Sequence, residues 1–207
     1  YSQIALLEKF DHIITNSALN LKEVKTRISR KIEETRFSIV PPISARFHIF
    51  SESARKSSNI TIVSKNPLRL LAVGRVVPHK RIEDIIKLVA NLTRDGQPTE
   101  LNIVGSCCNS TYVDFLKTEI TKQHLHGRVQ LQGKISEEEL IKYYKESDFL
   151  IMASEHEGFC VPVLEAMHLG LAVILRRGTA ASEVLNYEKS EFTTIEDCVL
   201  KIKEYMH

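Results

Sequence analysis

The 207-residue sequence is poor in the residues that interrupt regular structure, with eight glycines and six prolines. That excludes a collagenous or low-complexity chain, and 43% apolar residues beside 26% charged ones exclude a disordered one. No apolar run approaches the roughly 18 residues of a membrane-spanning helix. Neither charge sign prevails: 28 Lys and Arg face 26 Asp and Glu. So close a balance gives no reason to expect nucleic acid as a partner. The four cysteines, Cys107, Cys108, Cys160 and Cys198, include no C-x-x-C pair, which argues against a zinc ribbon or a disulfide framework. There is no Walker loop, no G-x-G-x-x-G after a strand-like run, no Asp-x-Asp metal motif and no internal repeat. No signal-like stretch follows Tyr1, so the expectation is a cytoplasmic protein with reduced thiols.

What is present is an alternation of short apolar runs and amphipathic segments. Runs at 68–73, 101–104, 129–131, 149–152 and 171–175 read as strands. Between them Ile82, Ile85, Ile86, Val89 and Leu92 recur at helical spacing, as do Val113, Leu116 and Ile120. Ser136 and Glu139 form a capping-box pattern opening a helix through Tyr144. Pro162 and Gly170 suit the beginning and end of another, and Ile195, Val199 and Ile202 mark a closing one. Continuous apolar strands alternating with helices define an α/β, doubly wound parallel sheet covered on both faces. Its ligand edge lies at the carboxyl ends of the strands, near Gly74, Gly105, Gly133, Ser154 and Arg176.

The first 67 residues differ. Ile4 to Phe10 is a short amphipathic piece, residues 12–15 read as a strand without a nearby partner, and Leu21 to Arg36 as a charged helix. Phe37 to Val40 runs extended into Pro41-Pro42, and 44–67 reads as a linker.

Two segments carry chemistry. The run from Ser154 to Gly170 leaves a buried strand and becomes a helix at Pro162. The first N–H groups of that helix lack intrahelical acceptors, so its start can receive an anion. Gly158 allows close backbone approach. Glu157 precedes the helix and Glu165 lies a turn inside it, and each carboxylate can accept from adjacent hydroxyls. A diphosphate between two hydroxylated rings, as in a nucleotide sugar, fits that arrangement. In the second segment, Gly74 ends the first strand of the domain and Arg75 and Lys80 follow, a guanidinium fork and a point charge suited to phosphate oxygens.

The first run closely resembles the E-x(7)-E motif of the family 4 glycosyltransferases, usually E-G-F-G-x-P-x-x-E-A-M-x-x-G. It matches at Glu157, Gly158, Phe159, Pro162, Glu165, Ala166, Met167 and Gly170, and departs at Cys160 where Gly is common. Gly74-Arg75 to Lys80 resembles the family's G-R-x(4)-K element, with Arg81 in place of a usual Gly, and Leu101 to Gly105 is similar to the family's second strand, with Cys107 where another Gly is common two residues later. Gly133 to Ile135 and Thr179 to Glu183 are similar to later loops, Asp11 to Ser17 to the last strand of the acceptor domain, and Tyr187 to Thr193 matches the final strand poorly.

The resemblance implies a Rossmann-like half of a GT-B glycosyltransferase. Residues 1–41 would be a remnant of the N-terminal acceptor domain and linker, and 42–207 the donor domain. It implies transfer of a sugar, with retention, from a nucleoside diphosphate sugar to an acceptor hydroxyl on a glycan or lipid-linked sugar, without metal. Arg75 and Lys80 would hold the diphosphate, with Gly74, Gly158, Phe159 and Cys160 beside the donor. Glu165 would hold the ribose and Glu157 the donor sugar. The catalytic set is then Arg75, Lys80 and Glu157. Most of the acceptor domain would be missing, leaving this fragment inactive alone, and the whole enzyme could sit on the cytoplasmic face of a membrane. The run His156 to Pro162 resembles mannosyltransferase-like members, so the donor stands open between GDP-mannose and a UDP-sugar. Alternatives are another GT-B nucleotide-sugar enzyme (an epimerase or phosphorylase-like protein) and a non-catalytic nucleotide-binding module.

Overall fold

The computed structural model describes residues 10–28, 33–41, 66–185 and 187–206. They form two sheets. In the smaller, β1 (Ile13–Thr15) pairs in parallel with β2 (Phe37–Ile39), and helix α1 (Ala18–Arg27) lies between them in the chain. Two expectations are corrected here. The strand at residues 12–15 does have a partner, the extended run beginning at Phe37. The helix expected over 21–36 instead spans Ala18–Arg27, Ile28 is extended, and Glu34–Arg36 form a 3-10 turn. Helices are held chiefly by packing, and α1 buries none of its residues, so nothing rewards further turns. Leaving the helix lets the chain return beside β1. The expected segment at 4–10 falls outside the described residues except for Phe10, and the expected linker falls outside them up to residue 65.

The larger sheet has six parallel strands in the order β5-β4-β3-β6-β7-β8. They are β3 (Leu68–Val73), β4 (Thr99–Val104), β5 (Val129–Gly133), β6 (Phe149–Met152), β7 (Ala172–Arg176) and β8 (Glu191–Phe192). The helices between them are α2 (Ile82–Arg94), α3 (Ser110–Lys122), α4 (Glu137–Glu146), α5 (Val161–His168), α6 (Ala180–Leu185) and α7 (Ile195–Tyr205). From residue 68 onward the expected strands and helices are found, with ends moved by at most a residue or two. The poorly matched last strand is the two-residue β8.

Alternation along each strand sorts side chains onto two faces. Leu70, Ala72, Phe149, Ile151, Ala172 and Ile174 pack with α2, α3 and α7. Leu71, Leu150, Met152, Val173 and Leu175 pack with α4, α5 and α6. Burial on both faces explains why β6 is apolar without interruption. On α2, Ile85, Ile86, Leu88, Val89 and Leu92 are all buried. Each contributes about 1.5–3 kcal/mol on burial, so Leu88→Ala should cost about 2–5 kcal/mol.

The chain lays down β3, β4 and β5 outward, then returns to place β6 against the other side of β3. The crevice at that reversal is where open α/β sheets bind ligands. The loops that leave β3 and β6 are the two segments singled out in the sequence. Among the described residues, no helix is long and apolar enough to cross a membrane.

Candidate active site

Gly74 ends β3 at φ +145, a conformation L side chains rarely adopt. Its amide donates to Val104 O at 2.9 Å. Its neighbour Gly105 comes so close that a Cβ there would lie 1.9 Å from Gly74 O. This close approach draws the ends of β3 and β4 together. Arg75 is exposed beside it. Pro78–Lys80 form a 3-10 turn that closes at Arg81, which is left-handed at φ 51. The turn survives the missing glycine, with Arg81 held by Asp84 and Glu83. Those carboxylates raise the Arg81 guanidinium above its ordinary pKa, chiefly through the Asp84 hydrogen bond and against the effect of burial.

The turn brings Lys80 Nζ to 2.6 Å from Glu157 Oε1, with the two side chains only 15% and 8% exposed. The loops are also tied by their backbones, Glu155 N donating to His79 O at 2.9 Å. Gly158 O accepts from Asn20 Nδ2 at 2.9 Å, which places α1 beside this loop. Glu183 fixes the same helix, its carboxylate accepting from the amides of Ala18 and Leu19 at 2.8 and 2.6 Å. Phe159 is half-buried.

Cys160 precedes α5 in the left-handed region, φ 69, and is buried. The conformation that favours glycine is therefore kept with a small side chain in its place. Burial, aided by the Glu157 charge, pushes its thiol up to about 12. Glu165, inside α5, is fully buried and accepts from the Tyr144 hydroxyl at 2.9 Å. The two glutamates thus differ: Glu157 faces a cation in the crevice, and Glu165 is fixed within the fold.

Several residues at this edge carry no motif signal. Asp84 accepts from Arg176 Nη2 at 2.7 Å and from Arg81 Nε at 3.2 Å. Arg176 Nε donates to Ala153 O at 2.8 Å. The Ser154 hydroxyl is buried without a hydrogen-bond partner among the described residues. Arg176 was legible only as a strand end, Ser154 as a strand end opening the motif run and Tyr144 only as a helix end; Asp84 and Asn20 gave no signal. A cavity of about 570 Å³ opens between α1 and the two loops, its lining including Asn20, Glu23, Arg27, His79, His156 and Glu157. Carboxylates, imidazoles and a guanidinium around such a cavity suit a hydroxylated, partly anionic ligand.

The family model for group 1 glycosyl transferases matches residues 53–207, most of the chain. The chain belongs to that family. It is 30% identical over 133 residues to the amylovoran biosynthesis glycosyltransferase AmsK of Erwinia amylovora, covering 60% of this chain and 31% of that protein. It is 29% identical over 136 residues to the GDP-mannose:cellobiosyl-diphosphopolyprenol alpha-mannosyltransferase of Komagataeibacter xylinus, covering 66% and 32%. In structure it is similar to Anabaena Alr3699/HepE, crystallised with UDP and glucose, at a TM-score of 0.77 and 18% identity over 97% of this chain and 55% of that one. The six-stranded unit is therefore a Rossmann-like half of the GT-B type. The matches span about a third of the length of these sequence relatives and about half of that solved structure.

Proposed function

We propose that this chain is the donor half of a retaining glycosyltransferase, binding a nucleoside diphosphate sugar whose sugar passes to an acceptor hydroxyl. The observation that carries this is the Lys80–Glu157 contact at the reversal of strand order. An ammonium suited to phosphate beside a carboxylate suited to sugar hydroxyls supports a single donor crevice. In this reading the donor takes up both groups that neutralise each other in the free chain.

Loss of the sugar adds negative charge to the diphosphate. Lys80, largely withdrawn from water, and Arg75, exposed beside it, meet that charge, and a group already held in place stabilises it most. They supply the positive charge themselves, so no divalent metal is required. Glu165 holds the ribose in this reading, its carboxylate oriented by the Tyr144 hydroxyl. Glu157 holds the transferred sugar and orients its anomeric carbon. Gly74, Gly158, Phe159 and Cys160 form the wall against which the donor lies.

Residues 1–41 belong, in this proposal, to the acceptor-binding half, and 42–207 to the donor domain. Ile14, Ile39 and Val40 are exposed on the short β1–β2 sheet, apolar surface that further strands of an acceptor half would cover. The acceptor is a glycan or lipid-linked sugar. A diphosphopolyprenol-linked acceptor in the name of one relative, and its GDP-mannose donor, support a lipid-linked acceptor and a mannosyl donor for this chain. The UDP and glucose of a solved neighbour support a UDP-sugar.

Calorimetric titration of the chain with GDP, UDP, GDP-mannose and UDP-glucose, with and without chelator, tests the proposal. Binding of one nucleotide series, unaffected by chelator, is expected. No binding of any nucleotide overturns the donor-site assignment, and binding abolished by chelator overturns the metal-free one.

A further inference from the structure

Beneath the two loops lies a set of contacts that the donor-site assignment does not use. Arg176, at the end of β7, reaches in two directions from one planar group. Its Nε donates to the carbonyl of Ala153, where the chain leaves β6 for the Glu157 loop. Its Nη2 pairs with Asp84 at 2.7 Å, in the first turn of α2, immediately after the Lys80 loop. Asp84 in turn holds Arg81, the residue next to Lys80. Arg81 Nε lies 3.6 Å from the Glu155 carboxylate on the opposite loop. The Asp84 side chain is 10% exposed and that of Arg176 23%, and the guanidinium stacks over the Phe192 ring, 5.4 Å from its centroid. The roots of both loops are therefore joined through one guanidinium from a third strand.

We infer that Arg176 is a positioning residue: by bracing Asp84 and the Ala153 carbonyl it sets the separation at which Lys80 and Glu157 meet the donor. This rests on the donor-site reading proposed above. The physical reason is the rigid fork of arginine. A guanidinium fixes two bond directions in one plane, whereas an ammonium is a point charge that cannot hold both partners in a set geometry. Asp84 would otherwise be a mostly buried carboxylate shared between Arg81 and Lys87, with no link to β6 or β7. A residue that merely raised the positive potential of the crevice would be replaceable by lysine.

The test is a double-mutant cycle on the affinity of the chain for UDP and GDP. Arg176→Lys keeps the charge and loses the two-point brace, and is expected to weaken nucleotide binding about ten-fold. Lys80→Ala weakens it by itself. If Arg176 acts by placing Lys80, then Arg176→Lys introduced into the Lys80→Ala chain adds less than about two-fold, because the group it places is gone. Asp84→Asn, approached from the other side of the brace, is expected to behave like Arg176→Lys and serves if that variant does not fold. Wild-type affinity in Arg176→Lys, or a full ten-fold loss persisting without Lys80, overturns the inference while leaving the donor site standing. A wild-type chain that binds neither nucleotide overturns the donor-site reading, and the inference falls with it.

Discussion

Lys80 and Glu157, 77 residues apart in the chain, meet at 2.6 Å across the two loops that leave the adjacent strands β3 and β6. Both side chains are largely withdrawn from water. Neither is free to be a solvated surface charge, and removing one leaves the other partly buried and unpaired, a costly state. The contact therefore ties the two loops together, and in the proposed reading the same two groups serve the donor.

Lys80→Ala in an enzyme carrying both halves should slow transfer about 100- to 1000-fold at saturating donor, by analogy with removal of one preorganised transition-state donor. Steady-state kcat measured with the native donor checks this. Turnover equal to wild type would show that the ammonium serves only its ion pair with Glu157.

The two glutamates should separate by ligand. Glu157→Ala should spare binding of the bare nucleoside diphosphate and weaken that of the nucleotide sugar. Glu165→Ala should weaken both, by roughly 1.5–3 kcal/mol for a lost charged hydrogen-bond partner. Tyr144→Phe removes the hydroxyl that orients Glu165. It should reproduce a fraction of the Glu165 loss, together with about 1–3 kcal/mol of stability for the carboxylate oxygen left without it. Calorimetry and melting temperature on the three variants decide the assignment.

Gly105→Ala should be among the most damaging single changes in the sheet. Its Cβ would fall 1.9 Å from Gly74 O, and φ is +149. Strain and overpacking together should cost roughly 3 kcal/mol or more. Gly96 has φ +85 but open space around its Cβ position. Gly96→Ala should therefore cost only about 1–2 kcal/mol of left-handed strain. Urea unfolding midpoints of the two variants give the comparison.

The thiols should divide by accessibility. Cys107 and Cys108 are exposed, and Cys160 and Cys198 buried. Burial first, then the charges of Glu157 and Asp197 respectively, raise the two buried thiols. Alkylation at neutral pH should modify Cys107 and Cys108 in the native chain and reach the others only in denaturant. The sign of the pH effect follows. The unfolded thiols ionise near pH 8.5, the folded Cys160 thiol only at about 12. The stability these groups contribute is complete below the unfolded value. It is lost as pH rises toward the folded one, at about 1.4 kcal/mol per pH unit per thiol. Cys160→Ala should flatten the decline between pH 9 and 11 in urea titrations, and an unchanged slope would contradict the assignment.

Local pattern determined much of this protein. The runs at 68–73 and 149–152 are strands with those bounds, because so short an apolar run, broken in the first only by the exposed Arg69, reports burial on both faces. The capping box of Ser136 and Glu139 is present with both its hydrogen bonds, since its partners are three residues apart. The positions of Lys80 and Glu157 at the carboxyl edge of the sheet were legible for the same reason, each lying in the loop that follows a strand. Their contact was not, because it depends on β6 returning to pair with β3 after the sheet has already grown to β5. The Asp84–Arg176 brace spans 92 residues, the Glu183 hold on α1 165, and the Tyr144–Glu165 bond 21. Periodicity shows which face a side chain presents and carries no record of which distant element will lie against it. The partner of β1 escaped detection likewise: parallel strands are joined across a crossover, and pairing shows only once the intervening helix stops at Arg27 and the chain comes back.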